Sequence, residues 1–428
     1  MVFHLEKKTT DLWQGGPWEQ PSRAVLTPPY IPPVQRPALR VKKRRRPLLP
    51  ILITVAVILS LVLAGMLLWY FDLLPSFRTG SFPDADDFSS FPFPYLDEDY
   101  IPREQPQDYT TPPSIPAAPT GTGVTITLES GEETPLSYEE IYNRCSPSIV
   151  SITTASRRGA NTGTGIILTE DGYILTNAHV VAGGSHVEVV TFDNHVATAR
   201  LVGFDADEDL AVLKIDLAGL TPARFGNSNE LHIGEQVAAI GDSLGYRSTI
   251  TDGIISSLDR EVEVDGVTMT LIQTSAAINF GNSGGALIDR FGRVVGITTV
   301  KIVSGDGSAE SLGFAIPSVR VKYVADRLID GQTITPGVLG VTVNTLPVDG
   351  LGLEIISVTP GSDAAAKGLR PGDILLQADG VDLTAIQILS RAKIDRGAGD
   401  PILLTVAREG QSFDVEVLLT DPSQLEGY

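Results

Sequence analysis

The 428-residue chain has one cysteine, five histidines and few basic residues for its size, 32 Lys and Arg against 52 Asp and Glu. A single thiol, Cys145, excludes an intramolecular disulfide and a thiolate metal cluster, so packing must stabilise the fold. Its setting, Asn143-Arg-Cys-Ser-Pro-Ser-Ile-Val150, reads as that of a small buried apolar residue. The histidines have no metal-ligand spacing, and no metal or cofactor is expected. The net charge of −20 hides an asymmetry: residues 1–46 carry ten Lys and Arg against three Asp and Glu, a net +7, which leaves −27 for the remainder. That acidic mass argues against a nucleic-acid partner. A further absence is local, since Leu48 to Phe71 contains no charged residue.

That uncharged stretch organises the N-terminal part. At about 1.5 Å per residue, a helix over 47–71 spans a hydrocarbon core of about 30 Å. The basic run Arg40-Val-Lys-Lys-Arg-Arg-Arg46 precedes it and Asp72 follows it. The positive-inside rule then puts residues 1–46, Pro-rich and expected to be disordered, in the cytoplasm and everything after the helix outside it. The apolar run is longer than a signal-peptide core and lacks a clear small-x-small site, so an uncleaved single-pass anchor is expected. Residues 72–134 mix Pro, Asp, Ser and aromatics without periodicity and read as an extended, disordered tether.

At 428 residues, 42% of them hydrophobic, two or more globular domains are expected. Ser137 followed by Glu140 reads as a capping box that opens a short helix. Short apolar runs separated by turn residues follow, among them Gly165-Ile-Ile-Leu168, Tyr173-Ile-Leu175 and 196–202. This pattern predicts an all-β sandwich or barrel.

The stretch with the clearest chemistry is Ala277-Ile-Asn-Phe-Gly-Asn-Ser-Gly-Gly-Ala286. A serine hydroxyl attacks a carbonyl only if a base takes its proton and donors hold the oxyanion that develops. Glycines around Ser283 permit a sharp turn and a close backbone approach, with Gly281, Asn282 and Ser283 as candidate N–H donors. Upstream, His179 ends the apolar run that begins at Tyr173, and Asp209 stands directly before Leu210-Ala-Val-Leu-Lys-Ile215. Asp205, Asp207 and Glu208 compete with Asp209 for a role, although Leu210 stands where an EF-hand loop needs glycine. His179, Asp209 and Ser283 come in the order used by chymotrypsin-type proteases.

Three blocks, Thr176-Asn-Ala-His-Val-Val181, Asp209-Leu-Ala-Val-Leu-Lys214 and Gly281-Asn-Ser-Gly-Gly285, together resemble the catalytic blocks of the HtrA/Deg family of trypsin-like serine proteases. Farther on, Val338-Leu-Gly-Val341, Pro360-Gly-Ser-Asp-Ala-Ala-Ala-Lys-Gly-Leu369 and Arg370-Pro-Gly-Asp-Ile-Leu375 resemble an HtrA-type PDZ domain. The resemblance implies a mainly β chymotrypsin-like double barrel over 135–329 and a PDZ α/β domain over 333–421. His179 and Asp209 would come from the first barrel and Ser283 from the second, which would include Gln236 to Ser257 and Arg293 to Thr299. Ala277, Ile278 and Thr299 would bind substrate, and an apolar pocket without an acid should reject Lys and Arg. Leu339, Gly340 and Val341 would form the carboxylate loop and adjoining strand for a peptide C-terminus, opposite a helix around Ala385 to Ile394.

The sequence departs from the family pattern at Ser275, where Asp is common, and at Phe280 and Ala286, where Pro is common. Loss of two prolines relaxes the nucleophile loop and puts its resting shape in question. Taken together, these features suggest a membrane-anchored, ATP-independent serine endopeptidase for misfolded or exposed extracytoplasmic polypeptides, a homotrimer regulated through its PDZ domain. The alternatives are a site-specific protease of a signalling cascade, and a chaperone or scaffold in which cleavage is secondary.

Overall fold

In Ile149-Val-Ser-Ile-Thr-Thr-Ala-Ser156, Val150, Ile152 and Thr154 are buried while Ser151 and Thr153 are more open, the period of two expected of a strand on a barrel wall. The computed structural model describes residues 109–425 apart from 158, 244–245, 265–266, 300–311 and 351. The expected basic tail, membrane helix and most of the tether lie outside the described residues. Among those described, no helix is long and apolar enough to cross a membrane.

Six strands close a first barrel: β1 Ile149–Ser156, β2 Gly159–Ile167, β3 Tyr173–Thr176, β4 His186–Val190, β5 Val196–Asp205 and β6 Leu210–Ile215. Ile152, Ile174, Val187, Val189 and Leu213 are among its fully buried residues. A second barrel is built from β7 Gln236–Ser243, β8 Tyr246–Val264, β9 Val267–Thr274, β10 Ala286–Asp289, β11 Val294–Thr299 and β12 Gly313–Pro317. Here β12 pairs with both β9 and β11, which completes the ring. Beyond the expected stretch Gln236 to Ser257, β8 continues to Val264 in a long hairpin with β9.

The helices are short. α1 Tyr138–Cys145 carries the expected capping box, with Ser137 and Glu140 bonded reciprocally. α2 Ala178–Val181 follows β3, and α3 Ser318–Ile329 closes the barrel pair by burying Val321, Val324 and Leu328. Gly203 of β5 admits this helix, because a Cβ there would stand 2.7 Å from the Leu328 side chain.

Residues 109–134 correct the sequence-based expectation of a disordered tether up to 134. The Ala118 N–H donates to the Leu201 carbonyl (2.7 Å), Gly121 to Ile329 (2.8 Å), and Asp326 of α3 accepts from the Ile126 N–H (2.9 Å). Ala118 and Ile126 are buried, and Leu128–Glu129 pairs in parallel with Phe225–Gly226. Prolines such as Pro113 and Pro116 suit a strap of this kind, because an extended chain lying on a surface needs few of its own N–H groups.

Beyond α3 a separate sheet runs in the order β13 Val341–Val343, β14 Leu353–Val358, β15 Ile374–Ala378, β16 Pro401–Arg408 and β17 Gln411–Leu418, with α4 Asp363–Ala366 and α5 Ile386–Ala392. Its core includes Leu339, Leu353, Leu375, Leu389 and Leu404. β13 is an edge strand, so its outer backbone groups are available to an added strand.

Cys145 ends α1 as a buried residue, its Sγ donating to the Gly292 carbonyl (3.4 Å). Burial pushes the thiol up to about 11. The thiolate is the reactive form, so the native protein at about pH 8 should resist iodoacetamide while the urea-unfolded chain is alkylated, as read by mass spectrometry.

Candidate active site

The segment that carries His179 is fixed from several sides. β3 ends at Thr176, whose hydroxyl donates to the Thr164 carbonyl (2.7 Å). The Asn177 amide donates to the Asp209 carbonyl (2.9 Å), and the Asn161 amide donates to the carbonyls of His179 and Val180 (3.2 and 3.3 Å). All four residues of α2 are buried. The Tyr109 ring stands edge-on to the imidazole, with centroids 5.7 Å apart and planes at 80°.

Asp209 turns the chain into β6 with a φ of 51°, a left-handed conformation that Asp tolerates better than most side chains. The turn directs its carboxylate back at His179. Nδ1 of the imidazole lies 2.9 and 3.0 Å from the two carboxylate oxygens, and the His179 N–H donates to the same group (3.1 Å). Thr299, at the end of β11, adds a hydroxyl donor (3.0 Å). A carboxylate only accepts, so Nδ1 carries the hydrogen and Nε2 is left with a lone pair. His179 is 8% exposed and Asp209 is 1% exposed, which strengthens the hydrogen bond by excluding water.

Ser283 lies just past a tight turn. The Asn282 N–H donates to the Asn279 carbonyl (3.0 Å) and Gly281 has a φ of 94°, as position three of a type II turn requires. Gly284, with a φ of 81°, brings this turn against the histidine segment: a Cβ there would lie 2.1 Å from the Thr164 carbonyl and 3.2 Å from the Asn177 nitrogen. A side chain at Gly163 would likewise meet Val180 and the Ser283 carbonyl. The structure thus brings the Ser283 turn onto the segment that carries His179.

Two expected assignments change. The N–H of Asn282, expected to face an oxyanion, closes the turn instead, and its carbonyl accepts from the Thr298 hydroxyl (2.6 Å) and the Gly285 N–H (2.9 Å). Thr299, expected to bind substrate, is buried with its hydroxyl on Asp209. Ala277 is exposed, and its carbonyl accepts from the Thr251 hydroxyl (2.9 Å). Ile278 is half-buried against Gly313, where a Cβ would approach its side chain to 2.7 Å.

Ser275 now has a physical role, since its hydroxyl accepts from the Ile254 N–H (3.1 Å) just past the end of β9. Phe280 is 56% exposed, and Ala286 is buried where β10 pairs with β7 and β11. The loop without its prolines is held by hydrogen bonds from Thr164 and Thr298, neither of which the sequence reading singled out. A signal for Thr164 was its place between two glycines on an apolar strand. In the second sheet Leu339 is a core residue and Val341 begins the edge strand. Gly340, with a φ of 73°, is pressed so close to Ser362 that a Cβ would stand at 2.3 Å.

The double barrel with its His–Asp pair and glycine-flanked serine, followed by the edge-strand sheet, defines a trypsin-like peptidase joined to a PDZ domain. Family models for a trypsin-like peptidase domain and a PDZ domain match residues 163–297 and 328–407. A probable periplasmic serine endoprotease, DegP-like, of Chlamydia trachomatis is 38% identical over 304 residues, covering 68% of this chain and 61% of the relative. The serine protease Do-like HtrA of Lactobacillus helveticus is 37% identical over 282 residues, covering 60% of this chain and 68% of the relative. Among solved structures, the HtrA-type protease AlgW with a tripeptide is similar at 35% identity and a TM-score of 0.54, covering 67% of this chain and 97% of that one. The chain belongs to the HtrA family of trypsin-like serine proteases with a single PDZ domain. It spans 61% of the length of the chlamydial relative.

Removing one donor from a buried charged acceptor costs about 1.5–3 kcal/mol, or about tenfold or more in rate. Thr299→Val should therefore lower kcat about tenfold for a peptide substrate and leave KM near the wild-type value, as steady-state kinetics would show.

Proposed function

We propose that this protein is a membrane-anchored, ATP-independent serine endopeptidase that acts on misfolded or exposed extracytoplasmic polypeptides. The observation that carries the reading is the buried His179–Asp209 pair, with the Ser283 turn packed onto the segment that carries His179. In the reaction, Nε2 takes the proton of Ser283 as Oγ attacks the peptide carbonyl, and then gives it to the leaving amine. Asp209 stabilises the imidazolium, supported by Thr299. The N–H groups of Gly281 and Ser283 receive the oxyanion, because that of Asn282 is taken up by the turn. Water then hydrolyses the acyl-enzyme.

The apolar Ala277 and Ile278 favour cleavage after Val or Ala, since a buried Lys or Arg charge would find no counter-ion there. Residues 47–71 would hold the chain in the membrane, with the catalytic and PDZ domains outside the cytoplasm. The relatives described as periplasmic support that placement. A homotrimer is the assembly we assign to it.

Control by C-terminal peptides is supported by contacts between the PDZ helix α5 and the catalytic domain. Arg391 forks onto Asp259 (3.0 and 2.6 Å), and Ser390 donates to Glu261 (2.8 Å). Arg320 of α3 bonds the carbonyls of Ile394 and Arg396 just past α5 and, on its other side, Glu208, the neighbour of Asp209. A peptide strand added to β13 would press on α5 and so on this network.

The test is turnover of an unfolded, casein-like substrate by the full chain in detergent, with and without a hydrophobic C-terminal peptide. Expected are cuts after small aliphatic residues, a rate that changes with the peptide, and loss of all cleavage in Ser283→Ala. Cleavage that survives in Ser283→Ala, or efficient cutting after Arg, would contradict the reading. A chain with no activity but with suppression of aggregation would point to the chaperone alternative.

A further inference from the structure

We propose that Thr164 of the first barrel is a positioning residue for the oxyanion-binding turn of the second, an inference that rests on the endopeptidase reading above. Thr164 has no exposed surface. Its hydroxyl donates to the Gly281 carbonyl (2.7 Å) and accepts from the Asp242 N–H (2.8 Å), so it is bonded on both sides to the second barrel. Its own N–H donates to the Ser283 carbonyl (2.8 Å), and its carbonyl accepts from Thr176, three residues before His179. One residue therefore holds the nucleophile turn and the segment that carries the base.

The consequence for the oxyanion site follows from peptide planarity, which makes a carbonyl and the next N–H point in opposite directions. The Gly281–Asn282 peptide is fixed at both ends, its carbonyl by the Thr164 hydroxyl and its N–H by Asn279. The two amides assigned to the oxyanion, those of Gly281 and Ser283, flank that fixed plane. The Asn282 carbonyl, held by Thr298, sets the direction of the Ser283 N–H. Without the Thr164 hydroxyl, the Gly281 carbonyl in this sealed site loses its donor, and rotation of the plane about the glycine relieves the loss at low steric cost. The spacing of the two donors would then drift. Phe280 in place of the usual proline leaves the turn with no covalent restraint of its own, so the threonine supplies what the sequence lacks there.

The test compares Thr164→Val, which keeps the shape and removes the hydroxyl, with Thr164→Ser, which keeps the hydroxyl. Both are measured in the full chain on a peptide amide with Val at the cleavage site. A peptide aldehyde of the same sequence reports on the oxyanion, because its adduct places an oxygen there. Thr164→Val should lower kcat about tenfold to a hundredfold, leave KM within about twofold, and weaken the aldehyde by the same factor as kcat. Thr164→Ser should restore both. If the valine variant does not fold, Thr164→Cys, a weak donor of similar size, takes its place with the same expectation. Wild-type kcat in the variant lacking the hydroxyl, equal damage from serine, or a rise in KM alone would overturn the inference while Ser283→Ala remains inactive. Turnover by Ser283→Ala would instead remove the endopeptidase reading, and this inference with it.

Discussion

A carboxylate buried between two barrels is the constraint on which the rest of the site depends. Asp209 comes from the first barrel and is 1% exposed, and a buried charge that loses its partner typically destabilises a protein by about 3–5 kcal/mol. Its partners come from both sides of the seam, the His179 ring and N–H from the first barrel and the Thr299 hydroxyl from the second. Satisfying this group therefore fixes how the barrels meet and which imidazole nitrogen stays free.

Closeness at the seam depends on residues without side chains. Gly284 and Gly163 stand where any Cβ would strike the opposite segment, and threonines on both sides supply short hydroxyl donors to the backbone between them. The result is a dense set of backbone contacts around Ser283, which is 2% exposed. The catalytic domain reaches the PDZ domain through longer, charged side chains: Arg391 pairs with Asp259, and Arg320 donates to the carbonyls of Ile394 and Arg396. Packing holds the reactive groups, while longer polar and charged side chains join the domains.

Much of this was legible in the sequence. Strand periodicity suggested an all-β sandwich or barrel, the Ser137–Glu140 spacing gave the helix cap, and the order His179, Asp209, Ser283 suggested the chemistry. Cys145 behaves as the small buried residue its setting implied. Other features were not legible, for physical reasons. The strap over 109–134 has no periodicity of its own, because its hydrogen bonds go to distant residues such as Leu201 and Ile329. Thr299 looked like a pocket residue by position, but the direction of its hydroxyl depends on Asp209, which lies 90 residues away. The Asn282 N–H was misassigned because a glycine-rich string does not reveal its turn type until the φ of Gly281 is known. Thr164 acts through partners 117 and 78 residues away, and its place between two glycines does not reveal them.

The most direct test of the central claim, that the buried pair makes Ser283 the nucleophile, is covalent trapping. The full chain would be treated with a peptidyl phosphonate ending in Val, and the adduct located by peptide mapping, for wild type and His179→Ala. The expected result is a single adduct on Ser283 that forms in the wild type and is nearly absent in His179→Ala. An adduct at another residue, or equal labelling of Ser283 without the histidine, would contradict the account.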